Sequence, residues 1–262
     1  MKHIIVAGDS FSYYTNELKK TKTPEQIINI DNGNWFHFLE DEYKENNIEY
    51  KFYYLGRPSA GNHYIIDKTK NKIKELLQKG IDANSIYCGI QFTYFFRNML
   101  SMDKTKMITK ELQDDYFDLN KPILNKFEYI KKTLNDINDL ADFIKEKNIL
   151  FNFFFQQDIF KHFGLKEINF ESEINKIKEY FLTNDNSKLD GMLENYLNKD
   201  SDNLYSAYIS KYDLHFNPIV YYHWYIDKIK PILMSNTNYK INEDILHNVH
   251  LYHKNKLLND NK

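Results

Sequence analysis

With one cysteine in 262 residues, the chain cannot form an internal disulfide. Cys88 lies in an apolar, strand-like run, where a small buried hydrophobe is the expectation. Long hydrophobic runs are also missing. A spanning helix needs roughly 18 to 20 apolar residues, and the strongest run, Ile149-Leu150-Phe151-Asn152-Phe153-Phe154-Phe155, is only of strand length. No membrane span is expected, and the protein should be soluble. At the N-terminus, Gly8-Asp9-Ser10 interrupts the apolar stretch too early for a signal peptide, which predicts a cytoplasmic protein. Charge of one sign is lacking as well. The formal net charge is −2, so nothing in the electrostatics calls for nucleic acid or an anionic membrane as partner. Lys68, Lys70, Lys72 and Lys74 read as a solvated helix face. There is no Walker loop, no Gly-x-Gly-x-x-Gly and no His-Glu-x-x-His, which removes nucleotide and metalloprotease readings and leaves no cofactor to expect. His247, His250 and His253 stand three residues apart with no matching cysteine or carboxylate cluster, so no metal site is expected there. Glycine, alanine and arginine are scarce beside lysine, asparagine and isoleucine, a bias of an AT-rich coding genome more than a physical adaptation.

What the chain does have is aromatic volume. Tyr and Phe, 21 and 19 of them, take the place in the core that Ala and Leu fill elsewhere. Hydrophobic period and turn punctuation predict strands near 3–8, 49–55, 85–93 and 149–155. Between them lie a helix over 35–47 with Trp35, Phe38, Leu39 and Tyr43 on one face, and a helix opening after Gly61-Asn62. The latter carries Ile65, Ile66, Thr69, Ile73, Leu76 and Leu77 and stops at Gly80. A third helix, over 124–147, carries Phe127, Ile130, Leu134, Ile137, Leu140, Ala141 and Ile144. Strand and helix in alternation imply a parallel sheet with helices on its faces: an α/β fold of three-layer, flavodoxin-like type. Phe170 to Leu182 has room for one more helix, and a last one begins at Pro218 and is disrupted by Pro231. Residues 1–235 are expected to form a single domain with an elaboration at about 156–212, followed by a polar tail over 236–262.

The chemistry concentrates at two places. The run Ile4-Ile5-Val6-Ala7 stops at Gly8-Asp9-Ser10, delivering Ser10 to the carboxyl end of a buried strand, where open α/β sheets bind ligands. Ser10 reads there either as a nucleophile or as a helix N-cap. Far downstream, Asp213-Leu214-His215 puts a carboxylate two residues from an imidazole, on the same side of an extended backbone. A serine needs such a base to attack at neutral pH, and the base needs an orienting acid. His223, with Asp227 one helical turn on, is a competing base or a surface contact, and Arg97 either binds a substrate carboxylate or pairs with an acidic neighbour.

Together, Gly8-Asp9-Ser10-Phe11, Gly61-Asn62 and the Asp-x-His pair followed by Asn217 resemble the SGNH (GDSL-type) hydrolase superfamily. The likeness is nearest to a divergent branch of phage and large-virus genomes, through Ser59-Ala60-Gly61-Asn62-His63-Tyr64-Ile65 and Gln91-Phe92-Thr93 with Arg97. The resemblance implies Ser10 as nucleophile, His215 as general base and Asp213 as its orienting acid. It implies an oxyanion hole from Ser10, Gly61 and Asn62, with a small-molecule or glycan acyl ester as substrate and, for a viral protein, association with the virion. Two departures stand out. The family's Gly-x-Asn-Asp block is replaced by Gln91-Phe92-Thr93-Tyr94, so that Gln91 or Thr93 becomes an alternative to Asn62, and its Asp-x-x-His is shortened to Asp-x-His. Besides an esterase or deacetylase, the readings left open are an O-acyltransferase with the same triad and a catalytically silent binding or virion structural protein.

Overall fold

The computed structural model describes residues 1–9, 34–57, 60–95, 124–158, 160, 166–183, 189–197, 216, 218–234 and 237. In chain order the elements are β1 (Lys2–Ala7), α1 (Trp35–Glu45), β2 (Tyr50–Tyr54), α2 (Asn62–Gln78), β3 (Ile86–Phe92), α3 (Leu124–Glu146), β4 (Leu150–Phe155), α4 (Glu171–Ile177), α5 (Met192–Leu197), α6 (Pro218–Trp224), a π-helix (Tyr225–Ile229) and α7 (Lys230–Leu233). The chain packs as two compact units, Met1–Tyr13 with Lys51–Asp190, and Tyr14–Tyr50 with Gly191–Lys262.

The first unit is built on the sheet. Its strand order is β2-β1-β3-β4, the opening of the doubly wound, flavodoxin-like order. β1 and β3 run parallel with Ile5 opposite Cys88 and Ala7 opposite Ile90, and β3 and β4 run parallel with Phe92 opposite Phe155. Leu55 N–H donates to Val6 O at 2.8 Å and Arg57 N–H to Gly8 O at 3.2 Å, a same-direction step of two that carries parallel pairing beyond the end of β2. Every residue of β3 is buried, as a central parallel strand requires. Alternation sends Ile5, Ala7, Cys88, Ile90, Phe92, Phe153 and Phe155 into one core with Ile65, Ile66, Ile73 and Leu76 of α2 and Ile130, Leu134, Ile137, Leu140 and Ile144 of α3. These are the helix positions whose spacing predicted an apolar stripe.

Aromatic rings fill that core. Phe155 stacks on Phe181 with centroids 5.0 Å apart, Phe92 meets Phe153 edge-on at 5.1 Å, and Phe95, Phe160 and Phe170 continue the chain of contacts. Such pairs add about 0.5 to 1.5 kcal/mol each beyond the area they bury. Cys88 lies among them as a free, buried thiol, and burial pushes its pKa up. The lysine face of α2 spreads its stems over rings: Lys70 and Lys74 lie over Phe143, and Lys72 over Tyr53. Residues 170–182 do not form one helix. A 3₁₀ turn (Glu167–Phe170), α4 and a second 3₁₀ turn (Lys178–Tyr180) release the chain at Phe181, which bridges in parallel to Phe153. Leu182 N–H donates to Phe153 O at 2.8 Å, so the free edge of β4 competes with helix continuation and takes these residues.

The second unit is helical. Asn34 caps α1 by accepting from Trp35 N–H, while His37 accepts from Asn34 N–H, a reciprocal capping box with histidine at the third position. Trp35, Phe38, Leu39 and Tyr43 are buried as expected, and so are Phe36, His37, Asp41 and Glu42, making α1 an interior helix over its first two turns. α5 packs on α6, and α1 on α6 and the π-helix. Pro231 does not end the last helix. It stands inside α7, and the preceding turn widens so that Lys230 N–H bonds Tyr225 O, five residues back, accommodating a ring that carries no N–H.

A shortage of glycine shows at the helix ends. α1, α2 and α3 all close with the same pair of bonds: Ile48, Ile81 and Ile149 N–H reach back to Tyr43, Leu76 and Ile144 O, and Asn47, Gly80 and Asn148 N–H to Lys44, Leu77 and Lys145 O. The left-handed residue in this motif is Gly80 (φ 76°) after α2, as predicted, but asparagine after the other two, Asn47 (φ 52°) and Asn148 (φ 56°). Asparagine tolerates this conformation better than other residues that carry a Cβ.

Candidate active site

At the carboxyl end of the sheet, four buried polar side chains tie three chain segments together. Asp9 leaves β1, Gln91 and Thr93 mark the end of β3, and Asn62 opens α2; none is more than 4% exposed. Gln91 Nε2 donates to Asp9 Oδ1 at 2.9 Å and the Thr93 hydroxyl to Asp9 Oδ2 at 2.7 Å. The Asn62 amide closes a ring with the Thr93 backbone, Nδ2 donating to Thr93 O at 3.1 Å and Oδ1 accepting from Thr93 N–H at 2.9 Å. A buried carboxylate is tolerable only when its lone pairs are used, and each missing bond here would cost about 1 to 3 kcal/mol. Each member therefore holds the others.

The loop before α2 is fixed in the same way. Arg57 N–H bonds Gly8 O, and Ala60 N–H returns to Arg57 O at 3.1 Å. Gly61 is the N-cap of α2 in an extended conformation, with no side chain to cover the first N–H groups, and its carbonyl accepts from Ile65 N–H at 3.2 Å. The positive end of a 17-residue helix thus points out of the end of the sheet where β1 delivers Asp9.

Of the residues expected at a site, Gly61 and Asn62 are brought to this edge, next to Asp9. Ser10, Asp213 and His215 lie outside the described residues, as do Arg97, His247, His250 and His253. Gln91 and Thr93, considered above as replacement oxyanion donors, are turned to Asp9. The Thr93 hydroxyl hydrogen is spent there, while Asn62 keeps a second amide hydrogen beyond the one it donates to Thr93 O. Sequence reasoning missed the carboxylate at the centre. Its only signal was an acidic residue following a buried strand, with Gln and Thr two apart at the end of another.

In the second unit the polar groups are differently made. Glu42 is fully buried, receives the Tyr225 hydroxyl, and has Lys230 Nζ 3.1 Å from its Oε1. Burial drives the His37 pKa down to about 3, with Lys44 adding to the effect, so the ring is neutral and accepts at Nδ1. Burial raises Asp41 to about 6 against the pull of Lys44. His223 lies between the rings of Tyr196 and Tyr222, at 5.9 and 6.0 Å, while Asp227 accepts from Asn195 at 3.0 Å.

No group of His, Cys, Asp and Glu among the described residues could hold a metal ion. No described helix is long and apolar enough to cross a membrane. No family model matches the chain, and no curated protein matches it. Among solved structures, it is similar to a member of the lipolytic protein G-D-S-L family from Veillonella parvula DSM 2008, with 11% identity and a TM-score of 0.47 over 90% of this chain and 100% of that one.

Proposed function

We propose that this chain is a serine-dependent ester hydrolase of the SGNH type, of the divergent viral-like branch, acting on small acyl esters of carbohydrate or lipid alcohols. The observation that carries the reading is the clamp on Asp9: the residue just before Ser10 is held by two side-chain bonds from the end of β3. A nucleophile gains most from a backbone that does not move between ground and transition state.

Ser10 Oγ attacks the acyl carbonyl and passes its proton to His215, whose imidazolium Asp213 orients and stabilises. The negative oxygen of the tetrahedral intermediate is met by N–H groups of Ser10 and Gly61 and by the second Nδ2 hydrogen of Asn62, with the N-terminus of α2 adding its dipole. Collapse breaks the ester bond, and His215 returns the proton to the leaving alcohol. Water, deprotonated by His215, then attacks the acyl-Ser10 ester and frees the acid. An alcohol in place of that water makes the same chemistry an O-acyl transfer.

A silent binding or virion protein is the second reading, and one observation favours it: the end of β3 offers its polar groups inward, to Asp9 and Asn62. Hydrolysis of a short-chain aryl ester separates the two. The enzyme reading predicts that Ser10→Ala and His215→Ala each lose about 10³-fold or more in kcat with folding intact. Equal rates in variants and wild type would leave the binding reading in possession.

A further inference from the structure

Thr93, the residue after β3, is engaged through its side chain and both of its backbone polar groups. Its hydroxyl donates to Asp9 Oδ2 at 2.7 Å, its N–H donates to Asn62 Oδ1 at 2.9 Å, and its carbonyl accepts from Asn62 Nδ2 at 3.1 Å. Gln91, two residues back and on the same face of the sheet, also meets Asp9, but the bonds to Asn62 belong to Thr93. Thr93 and Asn62 are 0% and 4% exposed, so these bonds are made away from bulk water.

The pairing fixes the Asn62 amide in one orientation. A backbone N–H only donates and a carbonyl only accepts, so Oδ1 and Nδ2 cannot change places. The amide is planar, and the hydrogen that closes such a two-bond ring lies on the Oδ1 side, which leaves the second Nδ2 hydrogen directed away from Thr93. The hydroxyl bond then fixes the backbone itself. Threonine is branched at Cβ and stiff about χ1, so tying Oγ1 to Asp9 holds the main chain on which the Asn62 amide rests.

We propose that Thr93 is a positioning residue, holding the Asn62 amide in place relative to the turn that leaves Asp9 for Ser10, so that oxyanion donor and nucleophile keep one spacing. This rests on the esterase reading above. Thr93 does not itself meet the substrate, because its hydroxyl hydrogen is given to Asp9. A donor serves a developing oxyanion at about 2.7 to 3.1 Å, and a misplacement of about 1 Å costs on the order of a hundredfold. The loss arises in the transition state, so it falls on kcat rather than KM.

The test follows hydrolysis of p-nitrophenyl acetate by the full chain. Thr93→Val keeps the branched shape and the backbone bonds and removes the hydroxyl. Its kcat should fall about 10- to 100-fold with KM changed by less than about threefold. Thr93→Ser, which keeps the hydroxyl, should return kcat to within about threefold of wild type. Asn62→Ala should also lose kcat, and Asn62→Ala combined with Thr93→Val should lose less than the product of the two single losses, because the valine acts through the amide that the alanine removes. Should the valine variant not fold, Thr93→Cys puts a weaker donor in the same place and should show the same split between kcat and KM. A folded valine or cysteine variant with wild-type kcat, a loss confined to KM, or single losses that multiply in full overturns the proposal and leaves the esterase reading standing. Wild type that does not hydrolyse the ester overturns both.

Discussion

The two units of this chain bury polar groups in opposite ways. In the sheet unit the Asp9 carboxylate accepts from two neutral side chains, and these bonds, with those between Asn62 and Thr93, converge on the end of β1 and the start of α2. In the helical unit a full ion pair, Glu42 with Lys230, is enclosed with Tyr225, beside a neutral histidine and an acid whose ionisation burial opposes. Neutral donors on one carboxylate fix the local geometry at the end of β1. An enclosed ion pair can be exchanged for hydrocarbon without loss of stability.

That difference is open to direct attack. Asp9→Ala strands Gln91 Nε2 and the Thr93 hydroxyl, and should cost about 3 to 5 kcal/mol in chemical denaturation together with the esterase activity. Glu42→Leu alone should cost a similar amount, about 3 to 5 kcal/mol, by leaving Lys230 uncompensated. Adding Lys230→Met and Tyr225→Phe should bring stability back to within about 1 kcal/mol of wild type. A triple variant as unstable as the single one would show that this cluster too is irreplaceable, and the contrast would vanish.

Acid sharpens the comparison further. His37 is held near 3, below its ordinary 6.5, so it favours the folded state above pH 6.5 and that stability is lost as pH falls toward 3. Asp41, raised to about 6 from 3.8, works in the other direction: its contribution is complete below 3.8 and is lost as pH rises through 6. Between pH 6 and 4 the two opposed shifts offset each other, so these groups should leave wild-type stability nearly level there, with the histidine loss showing below about pH 4. His37→Gln should instead gain stability over that interval, as read from denaturation midpoints. A variant with the wild-type slope would remove His37 as the acid-sensitive group.

The smallest effect concerns the helix ends. Asn148→Gly should stabilise by a few tenths of a kcal/mol, and Asn148→Ala should destabilise by about 1 kcal/mol, because only the latter places an ordinary Cβ in the left-handed region. Thermal unfolding of the two variants side by side decides it.

The four strands and the stripes of α2 and α3 were legible because local period and turn residues specify them: Ile4 to Ala7 stopping at Gly8, or Ile65 to Leu76 closing at Gly80. Partners distant in sequence were not. Gln91 and Asp9 are 82 residues apart, and nothing local says that an amide at the end of β3 will meet the carboxylate after β1. The break in residues 170–182 has the same origin, since the edge of β4 decides where Phe181 goes. The capping box of α1 was there to be read, with Asn34 three residues before His37, but histidine is not the usual residue at that position. Gly61 and Asn62 were singled out by motif and lie at the same edge of the sheet as Asp9, whereas the clamp on Asp9 needed the register of the sheet.

The central claim, that the turn anchored by Asp9 presents an activated serine, is tested most directly by treating the purified, folded protein with a fluorophosphonate and mapping the modified peptide. The account predicts a single adduct on Ser10 that is lost in His215→Ala. A folded protein that takes up no label, or takes it up elsewhere, contradicts it.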